Sequence, residues 1–275
     1  MSLKLVIFSD LDGTLLDRKT YQPGPAQGSL QKCRRLNIPV ILVSGKTKSE
    51  MEEIRKDLGL DFPFISENGG GLYIPINQAA KIVNAKKSGP YLCLTADETI
   101  EELRKALSYC AKTTDVQVRT FGAMSVEEIS AITGLNPGQA LLAKQREFDE
   151  PFLIIDDTLD KIKILREEIA MRGYRYNFGG SLHHITGNFN KGERVRQLQA
   201  LYCDESPGVK FAAVGDAYND LPMLKLADYP FLVRKPDGTV DENVIFDDLT
   251  IPDKSGPAGF TTAVEIMIKK LDLTG

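Results

Sequence analysis

The sequence predicts an α/β protein: a Rossmann-like parallel-sheet core domain interrupted by an inserted α+β domain. Three observations carry that prediction. Short, uninterrupted apolar runs at residues 5–8, 39–43 and 62–66 alternate with amphipathic stretches at 27–36 and 48–58. Apolar runs of that length read as strands buried on both faces, and the strand–helix rhythm implies a parallel sheet. The rhythm then breaks at residues 77–90, where charges, Gly and Pro accumulate, and it resumes at Lys191. The expected division is 1–84 and 189–275 for the core domain and 85–188 for the insertion.

Taken in order, the first strand ends in Asp10-Leu11-Asp12-Gly13-Thr14 and leads into a Pro- and Gly-rich loop at 17–25. The helix at 27–36 places Leu30, Cys33 and Leu36 on one face. The strand at 39–43 ends at Ser44-Gly45-Lys46-Thr47. The helix at 48–58 turns Met51, Ile54 and Leu58 inward and stops at Gly59. The strand at 62–66 passes through Glu67-Asn68-Gly69-Gly70-Gly71 into another at 72–74. Inside the insertion, strands are expected at 91–94, 116–118, 152–155, 174–178 and 182–185. Helices are expected at 97–111, 125–132, 137–145 and 158–171. Thr95 and Glu98 form a capping-box pattern, and Ser125 and Asn136 read as N-caps. The insertion is expected to be a sheet with helices on one face. The last part of the chain predicts helices at 191–202, 220–226 and 258–271 and strands at 211–215, 231–233 and 244–246.

The totals exclude several classes. With 34 basic and 38 acidic residues, net charge −4 and no basic stripe, the chain lacks a nucleic-acid footprint. Cys33, Cys93, Cys110 and Cys203 are scattered without a C-x-x-C pair, each in an apolar or helical stretch. Buried free thiols of a cytoplasmic protein are expected, and no zinc site. No apolar run approaches the roughly 18 residues of a membrane span. The first run stops at Asp10, so no signal peptide is expected.

The chemistry starts at Asp10 and Asp12. Residues i and i+2 of an extended chain project to the same side, so both acids can share a pocket at the carboxyl end of a buried strand. That end of an open α/β sheet is where ligands bind. Two close carboxylates repel, and a divalent cation is the usual compensation, with oxygen donors favouring magnesium. A lone D-x-D also reads as a helix N-cap and a turn acid. Gly45-Lys46-Thr47 invites a phosphate-loop reading, but the glycine that loop needs five residues before Gly45 is Val40.

Asp-Leu-Asp-Gly-Thr-Leu after an apolar strand resembles the nucleophile motif of the haloacid dehalogenase-like phosphatases. Val43-Ser44-Gly45, Asn190-Lys191-Gly192 and Gly215-Asp216-Ala217-Tyr218-Asn219-Asp220 follow in that family's order. The resemblance implies a magnesium-dependent phosphomonoester hydrolase with Asp10 as nucleophile, forming an aspartyl-phosphate, and Asp12 as general acid and base. It assigns the Ser44 hydroxyl to the phosphate, a role compatible with a helix N-cap serine. Lys191 supplies positive charge, and at a helix start that charge makes sense when an anion is bound there. Asp10, Asp216, Asp220 and the Asp12 carbonyl are the implied metal ligands, Asp220 either directly or behind the ligands.

The insertion resembles the larger sheet-bearing cap of one subclass of that family, which closes over the site. Three stretches are similar to mannosyl-3-phosphoglycerate phosphatases: residues 64–69, 146–152 and Gly179-Gly180-Ser181-Leu182-His183-His184. They imply a small substrate with a sugar, a phosphate and a carboxylate. Candidate substrate contacts are Glu67, Asn68, Arg119, Arg146, His183 and Asn219. The two arginines could clamp a carboxylate or lie solvated. His183 and His184 point oppositely on a strand, so at most one faces the site. Ser44-Gly45-Lys46-Thr47 departs from the Thr-Gly-Arg common in the subclass. A broader sugar or nucleotide phosphatase, a phosphomutase and a non-catalytic sugar-phosphate-binding protein are the competing readings.

Overall fold

The computed structural model describes residues 3–78, 85–155, 158–179 and 182–273. Its central strand, β1 (Leu5–Ser9), is buried along its whole length. Leu5 and Ile7 enter one apolar cluster with Leu30 and Cys33 of α1 (Ala26–Arg35), while Val6 and Phe8 enter the cluster on the other face. Alternation with both faces covered explains the unbroken apolar run. β2 (Val40–Val43), α2 (Lys48–Leu58) and β3 (Phe64–Ser66) continue the parallel rhythm.

Three antiparallel strands then extend the same sheet: β4 (Gly71–Pro75), β5 (Lys86–Ser88) and β6 (Tyr91–Thr95). β6 was expected to open the insertion. It pairs instead with β4 from Gly71↔Thr95 to Pro75↔Tyr91, so a boundary at residue 85 leaves two strands of the main sheet on the wrong side. The cause is aromatic packing: Tyr91 and Cys93 join the core cluster, and the Tyr91 ring lies 5.5 Å from Phe64 and 6.0 Å from Tyr73. Residues 79–84 of the expected linker lie outside the described residues.

The inserted unit follows with α3 (Ile100–Thr114), β7 (Val118–Thr120), α4 (Val126–Thr133), α5 (Pro137–Ala143), β8 (Asp149–Ile154), α6 (Leu159–Met171), β9 (Arg175–Gly179) and β10 (Leu182–Thr186). Its antiparallel sheet runs β7-β8-β10-β9. The capping box of α3 uses Thr99 and Glu102, one turn after the expected pair, because Thr95 is committed to β6. Ser125 and Asn136 cap α4 and α5 as expected. Leu103, Leu107, Leu165 and Ile169 cover one face of this sheet. Helices were expected on that face alone, but Leu153 and Leu182 of the other face pack with Ile129 and Ala140 of α4 and α5.

The chain re-enters the core through α7 (Lys191–Glu205), β11 (Lys210–Gly215), α8 (Leu221–Leu224), β12 (Tyr229–Leu232) and α9 (Gly256–Lys270). The main sheet runs β12-β11-β1-β2-β3-β4-β6-β5. No strand forms at 244–246. Val244 is buried there, but Thr250 makes the isolated bridge to Phe231. Cys33, Cys93 and Cys110 are buried free thiols, whereas Cys203 is exposed, contrary to expectation. Among the described residues no helix is long and apolar enough to cross a membrane.

Candidate active site

The parallel strands bring their carboxyl ends together, and the candidate residues follow them. Asp10 leaves β1 with its N–H bonded to Val214 O of β11 at 2.9 Å. Lys191 opens α7 behind the N-cap Asn190. Its ammonium is 2.6 Å from Asp10 Oδ1 and 2.6 Å from Asp220 Oδ1, and it is fully buried. Burial alone would pull the amine down, but Asp10 and Asp220 outweigh it and hold Lys191 above its ordinary value.

Asp220 fixes the loop after β11. Its Oδ2 accepts the N–H groups of Asp216 at 3.0 Å and Ala217 at 3.2 Å. Asp216 Oδ2 takes Arg18 Nη2 at 2.6 Å. Gly13 makes that approach possible: at φ +90° a Cβ here would stand 2.6 Å from Asp216 Oδ2. Burial and the neighbouring acids raise Asp10 to about 8 against the pull of Lys191. Burial and Asp220 raise Asp216 to about 6 against Arg18.

Asp10, Asp216 and Asp220 each offer one oxygen, and these oxygens lie within 4.8 Å of one another. An all-carboxylate set with excess negative charge suits a hard divalent cation such as magnesium. Both Asp220 oxygens already accept from Lys191 and backbone amides, so it orients the loop and completes the charge. The Asp12 carboxylate does not join this group. It turns to Lys46, whose Nζ is 2.9 Å from Oδ2, while Oδ1 is buried without a partner among the described residues. The Asp12 carbonyl lies 3.4 Å from Arg18 Nη2, the nitrogen that also holds Asp216 Oδ2.

Ser44 follows β2 and is buried, its Oγ accepting the Lys46 N–H at 3.3 Å. The N-cap of α2 is Thr47, in a capping box with Glu50. Lys46 also lies 3.8 Å from Glu50 Oε1 and 5.0 Å from the Tyr21 ring centroid.

The loop after β3 binds the inserted unit. Glu67 (φ 46°), Asn68 (φ 58°) and Gly69 (φ 108°) are three successive left-handed residues. Glu67 Oε2 accepts the N–H groups of Glu147, Phe148 and Asp149 at 3.1, 2.8 and 2.9 Å. Burial raises the Glu67 carboxyl to about 8, against Arg146 and these amides. Glu67 is therefore a tether, with its oxygens engaged inside the protein. Asn68 Nδ2 reaches Asp149 Oδ2 at 3.2 Å, and Asn68 Oδ1 accepts from Asn219 Nδ2 at 3.3 Å.

Three of the expected substrate contacts have partners within the protein. Arg119 lies on the surface with Nη2 2.8 and 3.0 Å from the two Glu128 oxygens. Arg146 is buried and donates to Gly45 O at 2.6 Å and Ala143 O at 2.9 Å. It straps the inserted unit to the core. His183 stacks on Phe152 at 5.5 Å and bonds Tyr176 Oη at 2.5 Å, inside the insertion's aromatic cluster. His184 points the other way, with Nδ1 2.9 Å from Asp149 Oδ1. Gly180 and Ser181 of the same stretch lie outside the described residues.

Sequence reasoning missed Arg18, Lys46, Asp149 and His184. Lys46 had a signal, since it sits between Ser44 and a T-x-x-E box. Arg18 had none, because an aperiodic loop carries no facing information.

A family model described as haloacid dehalogenase-like hydrolase matches residues 7–244. A glucosyl-3-phosphoglycerate/mannosyl-3-phosphoglycerate phosphatase of Methanococcoides burtonii is 37% identical over 269 residues, 98% of each chain. A mannosyl-3-phosphoglycerate phosphatase of Pyrococcus furiosus is 34% identical over 230 residues, 83% of this chain and 90% of the relative. A crystal structure of a haloacid dehalogenase-like hydrolase from Bacteroides thetaiotaomicron superposes with TM-score 0.65 at 18% identity, covering 97% of this chain and 100% of that one.

Proposed function

The chain belongs to the haloacid dehalogenase-like hydrolases and is a phosphatase, and from that premise we propose that it is a magnesium-dependent phosphomonoesterase acting on glucosyl- or mannosyl-3-phosphoglycerate. The observation that carries the reading is the buried Asp10–Lys191–Asp220 chain at the strand ends, with Asp12 beside it holding one unpartnered oxygen. The names of the full-length relatives support the substrate class.

In the first half-reaction an Asp10 oxygen attacks phosphorus, and the P–O bond to the glycerate breaks. Asp12 Oδ1 gives the leaving oxygen its proton. In the second, Asp12 takes a proton from water, whose oxygen attacks the same phosphorus and frees Asp10 and inorganic phosphate. Lys191 holds Asp10 in place and, with the Ser44 hydroxyl, donates to the phosphoryl oxygens as charge shifts. Magnesium held by Asp10 and Asp216 would screen the anionic nucleophile from the anionic substrate.

The test is phosphate release across a panel of sugar phosphates, with and without magnesium, including both glycosyl-3-phosphoglycerates. Selective release from those two, lost on chelation and in Asp10→Asn, is the expected result. Uniform turnover of hexose phosphates would return the chain to a broad sugar phosphatase.

A further inference from the structure

We propose that Tyr21 is a positioning residue for proton delivery: its ring keeps the Lys46 ammonium on Asp12. The inference rests on Asp12 as the proton donor and deepens that reading.

Tyr21 carries an aromatic side chain in the left-handed region, at φ 54°. A bulky residue is strained there, whereas glycine is not. The turn around it does not call for a ring. Asp17 Oδ1 accepts the N–H groups of Lys19 at 3.0 Å and Thr20 at 2.9 Å, and Tyr21 N–H returns to Asp17 O at 2.8 Å. Those bonds use the backbone and the Asp17 carboxylate alone, so the Tyr21 side chain is free for another task. Strain that the local turn does not need directs attention to what the side chain touches.

What it touches is Lys46. The Lys46 ammonium lies 5.0 Å from the centre of the Tyr21 ring, within reach of a cation–π contact. A lysine ammonium is a point charge with rotatable donors on a flexible stem, so one ion pair does not fix its direction. Here Asp12 takes it at 2.9 Å and Glu50 stands at 3.8 Å. The Tyr21 ring closes a further side, and Lys46 is left 8% exposed. Excluding water on that side also strengthens its attraction to Asp12.

Both stretches of backbone that bring ring and ammonium together lean on the inserted unit. Tyr21 Oη lies 3.5 Å from Thr133 O at the end of α4. Around Lys46, Gly45 O accepts from Arg146 at 2.6 Å, and Thr47 Oγ1 donates to Leu142 O of α5 at 3.0 Å. Lys46 O accepts the N–H of the tether residue Glu67 at 2.9 Å. The Tyr21–Lys46–Asp12 stack therefore stands at the seam between the core and the inserted unit, and both sides of the seam hold it.

The experiment follows phosphoenzyme formation in the magnesium-loaded protein with an alkyl phosphate and with p-nitrophenyl phosphate, whose leaving group needs no proton. Tyr21→Gly removes the ring and relieves the backbone. It should slow the alkyl phosphate about three- to thirtyfold, the range of a cation–π contact, and leave the p-nitrophenyl phosphate burst and both KM values near wild type. Tyr21→Phe keeps the ring, loses the hydroxyl that reaches Thr133, and should fall between wild type and Tyr21→Gly. In a Lys46→Met background Tyr21→Gly should slow the alkyl phosphate no further, because the ring has no ammonium left to hold. Thermal melting of each variant checks the fold independently of turnover. Equal slowing of both phosphates, an undiminished further loss in the Lys46→Met background, or a wild-type rate in Tyr21→Gly overturns the inference alone. Full turnover of the alkyl phosphate by Asp12→Asn places the proton donor elsewhere and overturns that reading, and this inference with it.

Discussion

Lys46 holds one oxygen of Asp12 at 2.9 Å and leaves the other buried and unpartnered. A carboxylate fixed by one oxygen presents the other in a single direction, which is what a proton donor to a bound leaving group requires. Lys46→Met should slow the phosphorylation step on an alkyl phosphate about ten- to a hundredfold, within the range of general acid catalysis. p-Nitrophenyl phosphate, whose leaving group departs without a proton, should keep its first-turnover burst. Rapid-quench measurement of both substrates checks this, and equal slowing would assign Lys46 to the phosphoryl group instead.

Lys191 stands between two buried acids, so removing it strands both. Lys191→Met should cost about 3–5 kcal/mol of stability, as when one partner of a buried ion pair is deleted. The loss should be smaller at pH 5 than at pH 8, because protonation neutralises the buried Asp10 carboxyl left without its partner. Urea unfolding at the two pH values measures it. Asp10→Asn, by contrast, keeps the shape and the oxygen that Lys191 binds. It should fold normally and release no phosphate.

Metal binding and pH should be linked. Asp10 is raised to about 8 and Asp216 to about 6, so near neutrality protons compete with the cation for these oxygens. Magnesium affinity should therefore tighten as pH rises between about 6 and 8, with proton release on binding. The metal-free protein should show the opposite trend in stability. A carboxyl whose folded value is raised stabilises fully below its unfolded value of about 4, and that contribution is lost as pH rises to its folded value. Calorimetric titration in two buffers of different ionisation heat, and melting with and without magnesium, test both signs.

Arg146 and Glu67 should behave as parts of the seam. Arg146→Ala should lower kcat/KM by the same factor on carboxylated and uncarboxylated substrates, since its donors end on Gly45 and Ala143. Glu67→Ala should cost about 2–3 kcal/mol, because the backbone amides of Glu147, Phe148 and Asp149 lose their buried acceptor. Denaturant midpoints beside the substrate ratio check both expectations.

The strand order of the core was legible because buried strands and amphipathic helices leave period-2 and period-3.6 signatures. Asp10, Lys191, Asp216 and Asp220 were legible because each sits where such an element begins or ends, and the structure brings these four together. What stayed hidden depended on pairing across distant segments. Nothing local in residues 91–95 says that this strand returns to β4, since a strand pattern does not name its neighbour. Thr95–Glu98 and Thr99–Glu102 are equally good boxes, and only the end of β6 selects the second. Arg119 and Arg146 look alike in sequence. Burial and the carbonyls of Gly45 and Ala143 distinguish them, and both features are tertiary.

The left-handed run at Glu67, Asn68 and Gly69 sets a condition on any chimera made from this protein. A Cβ at Gly69 would lie 2.4 Å from Asn190 O, and one at Gly70 would lie 2.3 Å from Phe148 Cβ. The core thus carries a socket cut to the thickness of backbone alone, and the foreign part seated in it is the stretch 147–149. Grafting another inserted unit between residues 96 and 187 would leave this socket facing a sequence it was not shaped for. A transplant that exchanges residues 67–70 together with the graft should seat, whereas one that leaves them behind should hang open on its two crossing strands of chain.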